Sequence, residues 1–415
     1  MSADFCPSPN DRRLLTRDEA LALLLSHCRP LTDLETVPTE DGLGRVLASP
    51  VTSRIPVPGW DNSAMDGYAV RAADLAADDG WLPVAQRIPA GRTGEPLARG
   101  TAARIFTGAP IPAGADTVAI QERCERDGDR VRVPVDTAVG ANIRLAGEDI
   151  TPGAEVIAAG TRLAPQHLGL AASVGCPELR VYRRLRVAIF ASGDELVMPG
   201  EPLAPGQIYN SNRLILRGLL QGLGCEVIDL GIVRDSPEAT EEALSRGAAE
   251  SDLVLASGGV SVGEEDHVKP AVERLGSLDL WNLAIRPGKP VAFGHVAGTP
   301  FLGSPGNPVS LFTTFCLFAR PFVLRMQGVA GDLAPRVLVT RAGFDWPRPD
   351  KRLELHRARL QTGADGRTEA VVHPSRSSAV LSSVAWAEGF VEIPERQVLA
   401  KGDPVAFIPF DSLLH

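Results

Sequence analysis

The chain has 415 residues, of which 44% are hydrophobic and 22% charged, with a formal net charge of −9. That length exceeds what one core supports and predicts two to four domains, and the composition excludes an intrinsically disordered chain. The acidic balance excludes broad nucleic-acid binding, because no basic stripe is present to neutralise a phosphate backbone; an anionic ligand has to be drawn in by a local cluster.

Met1 to Arg13 is polar and carries no apolar stretch of signal-peptide length. Leu14–His27 places apolar residues at helical spacing behind Thr16, and Thr16 with Glu19 has capping-box spacing. Pro50–Pro58 reads as a linker or edge strand. From Val51 to about Arg144, short runs such as Ala102–Phe106 and Thr117–Gln121 alternate with Pro, Gly and Asp turns, the pattern of a β-rich domain. Glu148–Tyr182 regains a helical pattern and ends in a strand near Leu179–Tyr182. The β-rich part is therefore expected to be inserted into a mixed N-terminal domain, with boundaries at 12–52 and 148–182 for the flanking halves and 53–147 for the insert.

From Arg186 the pattern alternates. Strands are predicted at Val187–Phe190, Glu226–Leu230, Leu253–Ala256, Leu278–Ile285 and Val291–Val296. Helices are predicted at Ser211–Gly224, from Ser236-Pro237 to about Ala249, at Val268–Leu275, and from Asn307-Pro308 through Arg325. This predicts a doubly wound, mostly parallel α/β domain over 183–330, with ligands bound outside the carboxyl ends of the strands. Beyond Gly331 the helices are expected to stop, and Val337–Thr340, Arg352–Leu360, Ala370–Val372 and Val405–Ile408 predict a small β-barrel over 331–411. The fold class is thus multidomain α/β. No run approaches the roughly 18 apolar residues of a membrane span. The six cysteines (Cys6, Cys28, Cys124, Cys176, Cys225, Cys316) lack CxxC spacing, as in a reduced cytoplasmic protein without a zinc site or disulfide framework.

Three glycine-rich turns carry the chemistry. Ser257–Asp266 contains Gly258, Gly259, Ser261, Gly263, Glu265 and Asp266; Arg286-Pro287-Gly288-Lys289-Pro290 holds two cations; Gly303-Ser304-Pro305-Gly306-Asn307-Pro308 opens a helix. Bare backbone N–H groups, helix N-termini and cations suit phosphate, and the acids beside them suit it only with a metal cation between. The Arg286–Lys289 turn suits a small oxyanion or phosphate. Each turn also admits a plain structural reading, as do the polar loop Asp61–Ala69, Thr107-Gly108-Ala109-Pro110 and Gly147-Glu148-Asp149-Ile150.

DNSAMDGYA, TGAPIP, GEDI, SGDEL, SGGVSVGEEDHVK, IRPGKP and PGNPVS follow one another in that order across most of the chain. With these motifs the sequence resembles the molybdopterin molybdenumtransferase family, the MoeA proteins, whose eukaryotic counterpart is the E domain of gephyrin. The resemblance implies that adenylylated molybdopterin and molybdate are substrates, that the adenylate is cleaved with a divalent metal (Mg²⁺), and that AMP leaves as molybdenum joins the dithiolene. By motif, Gly258, Gly259, Ser261, Gly263 and Ser304, Pro305, Gly306, Asn307, on to Ser310, take the pterin phosphates. Glu195, Asp235 and Asp266 serve metal and adenylate. Asp61, Thr107 and Asp149 complete the cleft across a dimer interface. Arg286, Lys289 and Pro290, with Arg352 and Ser378 from the barrel, take molybdate, as arginine forks and hydroxyls suit a tetrahedral oxyanion.

The resemblance further implies a cytoplasmic homodimer that acts on small molecules, with other molybdenum-cofactor biosynthesis proteins and molybdoenzyme apoproteins as partners and neither nucleic acid nor membrane. Three positions depart from the family pattern: Asn282 stands where a lysine is frequent, Arg286 where lysine is common, and Ser304 where an apolar residue is usual. A molybdopterin adenylyltransferase, a tungstate-handling paralogue and a scaffold that reuses the fold remain alternatives.

Overall fold

The computed structural model describes residues 14–259 and 267–414. They form two compact units, one made of Thr36–Leu43 and Leu47–Val181 and the other of the rest.

The first unit is β-rich. Its six-stranded sheet runs in the order Thr117–Ile120, Gly67–Val70, Ala102–Ile105, Trp81–Ile88, Arg130–Arg132, Glu125–Asp127. Apolar side chains pack on both faces: Tyr68, Val70 and Ala102 join one cluster, while Ala69, Ala103 and Ile105 join the other. A separate core brings Leu47 and Val51 together with Ile150, Ile157, Leu163 and Val181, from either side of that sheet in sequence. The helix Pro165–Ser173 contributes Ala171 to it.

The second unit holds an α/β sheet of β1 (Arg186–Ser192), β2 (Glu226–Val233), β3 (Leu253–Ser257), β4 (Gly276–Asn282), β5 (Pro290–Val296) and β6 (Thr299–Ser304), in the order β2-β1-β3-β6-β5-β4. The β2, β1, β3 and β6 strands are parallel, and β5 and β4 add antiparallel. Strands β1, β3, β5 and β6 are buried on both faces, which is why they read as unbroken apolar runs, whereas β2 is half-buried and the edge strand β4 is largely exposed. Val187 and Ile189 of β1 face a core shared with the helices α1 (Ser211–Gly222) and α4 (Pro308–Met326), whereas Ala188 and Phe190 face α2 (Pro237–Glu250) and α3 (Val268–Leu275).

Two expectations are corrected here. The predicted strand Leu278–Ile285 is two segments: it breaks after Asn282, and Ile285–Arg286 leaves the sheet to pair in parallel with Leu353–Glu354. The helix from Pro308 is not α-helical throughout, since Phe315–Ala319 forms a π-turn between Pro308–Thr314 and Arg320–Met326. Its length and apolar composition would suffice to cross a membrane, yet 94% of the apolar window is buried, as in a core helix. The N-terminal helix Arg17–Ser26 carries the expected capping box of Thr16 and Glu19, and Ala20 and Leu24 join the same core.

The C-terminal region is a closed five-stranded barrel of Leu353–Thr362, Thr368–Val372, Leu338–Ala342, Pro404–Pro409 and Gly389–Ile393, the last pairing back to the first. The helices do not stop at Gly331: Ser382–Trp386 and Asp411–Leu414 are short helical turns. The barrel buries His356, whose Nε2–H donates to the His373 carbonyl at 2.9 Å and whose ring centroid lies 4.9 Å from that of Trp346.

Burial, followed by the charge of Arg357, lowers the His356 pKa from its ordinary 6.5 to about 3. The folded protein therefore keeps this ring neutral where the unfolded chain protonates it, so stability is complete above 6.5 and is lost as pH falls toward 3. Urea unfolding is expected to show a loss of about 2 kcal/mol between pH 7 and pH 5 that is absent in His356→Phe.

Candidate active site

Three adjacent parallel strands end in serine, and the cleft opens at those ends. Ser192, Ser257 and Ser304 close β1, β3 and β6, with Ser257 opposite Ser304 in register. Each is followed by Gly193, Gly258 or Pro305-Gly306. Gly258 has φ +85°, its N–H donates to the Ser304 carbonyl at 3.1 Å, and an added Cβ would sit 2.8 Å from the Ser192 carbonyl oxygen. Any other residue there carries both a left-handed backbone penalty and a clash with main chain. The first and third glycine turns therefore meet through bare backbone.

The cleft is about 790 Å³, and Glu195, Asp235, Gly258, Gly259, Pro290, Pro305, Gly306 and Asn307 all line it, together with Ser310 at the start of α4. The Asp235 carboxylate accepts from the Ser192 hydroxyl at 2.6 Å and the Asp194 N–H at 3.1 Å, while the Asp235 N–H returns to the Asp194 side chain at 3.2 Å. The SGDE turn after β1 and the turn after β2 are thereby locked together. The Glu195 carboxylate folds over Gly193, where it would touch any Cβ. The Asn307 side chain makes no capping hydrogen bond, contrary to its expected role.

Two asparagines were not singled out by motif. Asn212 donates to the Ser257 hydroxyl at 2.9 Å and to the Gly306 carbonyl at 2.7 Å, tying the two glycine turns to α1. Asn210 caps α1 by accepting from the Arg213 N–H at 3.1 Å, and its buried amide nitrogen has no partner. The available signal was Asn-Ser-Asn at a predicted helix start.

The predicted cations lie apart from the lining of this cleft. Arg286 bonds to Asp350 at 2.9 Å, and Arg352 bonds to both oxygens of the same carboxylate at 3.1 Å. Arg352, joined by Arg286 against the opposing cost of burial, holds the Asp350 carboxyl well below the usual carboxylate range. Arg376 bonds to Glu354 at 2.5 Å. Lys289 is exposed and forms no ion pair with a described residue. Arg357 is buried without a carboxylate: Nη2 donates to the Ser375 and Ser377 carbonyls at 2.5 and 3.2 Å, and Nε to the Ser383 hydroxyl at 3.0 Å. Burial, then the nearby Arg286, lowers its pKa to about 10. It shapes the turn that carries Ser378, whose carbonyl accepts the Val309 N–H at 3.1 Å.

Ser261, Gly263 and Asp266 lie outside the described residues. Among the described residues no group of three or more His, Cys, Asp or Glu side chains is placed to hold a metal.

In the β-rich unit, Asn62–Ser63 pairs antiparallel with Ile143–Arg144. On its other side, the Ile111 N–H bonds to the Asp61 carbonyl at 2.9 Å and the Gly108 N–H to the Ser63 carbonyl at 2.8 Å. The DNSAMD and TGAPIP segments thus lie side by side. Asp61 Oδ1 accepts the Ala146 N–H at 2.7 Å, and the Asp149 N–H donates to the Val57 carbonyl at 3.0 Å, so the three motifs form one ribbon.

Three family models match the chain: the MoeA N-terminal region (domain I and II) over residues 15–175, a probable molybdopterin binding domain over 188–325, and the MoeA C-terminal region (domain IV) over 340–410. The chain is 37% identical over 404 residues to a molybdopterin molybdenumtransferase of Haemophilus influenzae, covering 97% of this chain and 100% of that one. It is 40% identical over 329 residues to one of Nostoc, covering 77% and 76%. A molybdopterin biosynthesis MoeA protein structure from Pyrococcus horikoshii superposes with a TM-score of 0.81 at 29% identity, covering 96% of this chain and 100% of that one.

Gly258→Ala is expected to lower the local stability of β1 and β3 by about 2 kcal/mol, from left-handed strain plus the clash at Ser192. Hydrogen-exchange protection of the β1 and β3 amides checks this; unchanged protection would mean that the glycine is not required.

Proposed function

We propose, for a chain that belongs to the molybdopterin molybdenumtransferase family, that it inserts molybdate into adenylylated molybdopterin and releases AMP, forming molybdenum cofactor. The observation that carries the reading is the cleft at the ends of β1, β3 and β6, where two glycine turns, an open helix N-terminus and the carboxylates of Glu195 and Asp235 share one wall. Backbone N–H groups at such a place suit phosphate.

The pterin phosphates are assigned to Gly258, Gly259, Ser261, Gly263 and Ser304 to Ser310. Molybdate is assigned to Arg286, Lys289, Pro290, Arg352 and Ser378. Asp61, Thr107 and Asp149 are assigned catalytic roles by motif. Hard carboxylate oxygens of Glu195 and Asp235 suit Mg²⁺, which takes one or two protein carboxylates and completes its shell with water and phosphate. These residues, with Asp266, would hold it, and its chemistry there is neutralisation of the charge that develops on the cleaved phosphate. On the protein's side, Ser192 and the Asp194 N–H orient the Asp235 carboxylate, and the bare Gly258 lets the turn after β3 pack directly against the Ser192 and Ser304 carbonyls at the wall of the cleft.

The four-part division at 12–52 with 148–182, 53–147, 183–330 and 331–411 belongs to this reading. So do a homodimer, other cofactor-biosynthesis proteins and molybdoenzyme apoproteins as partners, and a cytoplasmic location. The exposed Trp60 and Met65, which flank Asp61 in sequence, favour a partner surface. The free thiols of Cys28, Cys124, Cys176 and Cys316 favour a reducing compartment.

Purified protein given molybdopterin adenylate, Mg²⁺ and molybdate is expected to release AMP only when molybdate is present. ATP consumption without molybdate would instead indicate the adenylyltransferase, and competition by tungstate at low concentration reports which oxyanion is preferred. Lys289→Ala is expected to raise the molybdate KM about tenfold or more, the worth of one charge-assisted hydrogen bond. An unchanged KM would remove Lys289 from the oxyanion site.

A further inference from the structure

The Thr107 side chain is exposed, yet its hydroxyl proton is already committed. A single carboxylate oxygen, Asp66 Oδ1, accepts both the Thr107 backbone N–H and the Thr107 Oγ1–H, each at 2.8 Å. Both bonding partners are held by main chain. The Asp66 carbonyl accepts the Gln121 N–H at 3.0 Å, and the Gly108 N–H bonds to the Ser63 carbonyl at 2.8 Å. Gly67, directly after Asp66, lies so close to the next strand that an added Cβ would fall 1.9 Å from the Ala119 carbonyl oxygen. The two bonds from Thr107 also pull the Asp66 pKa below its ordinary value, so the carboxylate stays an acceptor.

A hydroxyl has one proton and two acceptor lone pairs. With the proton directed at an ionised carboxylate, the oxygen offers only lone pairs to anything approaching from solvent. It cannot donate to a phosphate oxygen; it can accept from an N–H or O–H, or ligate a hard cation.

Resting on the reading that Thr107 serves the reaction, we propose that Asp66 is a positioning residue that fixes Thr107 as an electron-pair donor toward the substrate complex. Asp66 touches no substrate in this assignment; it acts by deciding which way the Thr107 proton points. The partner of the lone pair is either a hydroxyl or amine of the substrate or the divalent cation, two sources that kinetics separates.

The test compares the parent protein with Asp66→Asn, Asp66→Ala, Asp66→Glu, Thr107→Val and the double variant Asp66→Ala/Thr107→Val, reading AMP release against substrate and Mg²⁺ concentration. Asp66→Asn keeps an acceptor oxygen in place and is expected to stay within about threefold of the parent, a fraction of one hydrogen bond. Asp66→Ala lets the hydroxyl rotate and is expected to raise the substrate KM or the Mg²⁺ requirement about tenfold. Asp66→Glu keeps the charge but displaces the acceptor and is expected to share that defect, which decides the matter should the alanine variant not fold. In the Thr107→Val background Asp66→Ala is expected to add nothing, because no hydroxyl remains to orient. A defect that excess Mg²⁺ relieves identifies the cation as the partner; one confined to substrate KM identifies a substrate donor. Equilibrium binding of molybdopterin adenylate without molybdate makes the same comparison without turnover. The proposal is overturned if the alanine and glutamate variants match the parent, or if their losses add in full to that of Thr107→Val while the thermal midpoint falls in step. A parent protein that releases no AMP overturns the underlying reading and this assignment with it, whereas an active parent with silent Asp66 variants overturns the assignment alone.

Discussion

The close approach of backbone to backbone at Gly258 is the constraint on which the cleft depends. The Gly258 N–H bonds to the Ser304 carbonyl, its Cα faces the Ser192 carbonyl, and Gly306 lies against it from the third turn. No side chain fits between the ends of β1, β3 and β6. The turns that follow these strands are therefore held against one another by main chain, and in the proposed reading it is this fixed backbone that meets the phosphate. Fixed dipoles of this kind need little reorganisation when charge arrives.

The helix α4 extends that constraint to the rest of the second unit. Its first turn lines the cleft through Ser310, and its Val309 N–H bonds to the Ser378 carbonyl at 3.1 Å, fixing the polar barrel turn to the helix start. One turn further on, Thr314 packs against Gly288, where an added Cβ would lie 2.5 Å from Thr314 Cγ2. The cation-bearing turn, the glycine turn and the serine turn are thus all referenced to one buried element. Apolar burial along α4 stabilises the core and also sets the relative positions of three polar turns. The helix Arg17–Ser26 is fixed to the same core, into which its Ala20 and Leu24 pack.

Local pattern carried much of this into the sequence. A strand buried on both faces is a short apolar run, a serine before proline or a threonine three residues ahead of glutamate announces a helix, and glycine marks a backbone path that other residues resist. Val268–Leu275 and the capping box at Thr16 are read directly in this way. Long-range pairing left no such mark. Ile285–Arg286 continues an apolar run yet pairs with Leu353–Glu354 in the barrel, and Gly389–Ile393, absent from the predicted strands, is a strand because Leu353–Thr362 and Pro404–Pro409 flank it. Asn212 is an ordinary helix-start residue by sequence; its link between Ser257 and Gly306 exists only once the two turns have been brought together. The same holds for the arginines, whose carboxylate partners lie 64 and 22 residues away for Arg286 and Arg376.

Those pairings bear on how an acidic chain could hold an oxyanion. Asp350 and Glu354 orient Arg286, Arg352 and Arg376, while Lys289 and the buried Arg357 have no carboxylate among the described residues. Four arginines and two carboxylates thus gather in one part of a chain of net charge −9. The pairing does not exhaust the guanidinium groups either, since each has five N–H donors and Arg286 spends Nη1 on Asp350. A carboxylate that takes one edge of a guanidinium removes its rotational freedom and presents the remaining donors in a fixed fork, which favours a rigid tetrahedral oxyanion over a flexible one. Lysine at position 286 could not be held this way, because an ammonium has no second edge to present. The arginine there is therefore a change in geometry more than in charge, and it has its counterpart in Asp350, the carboxylate it shares with Arg352.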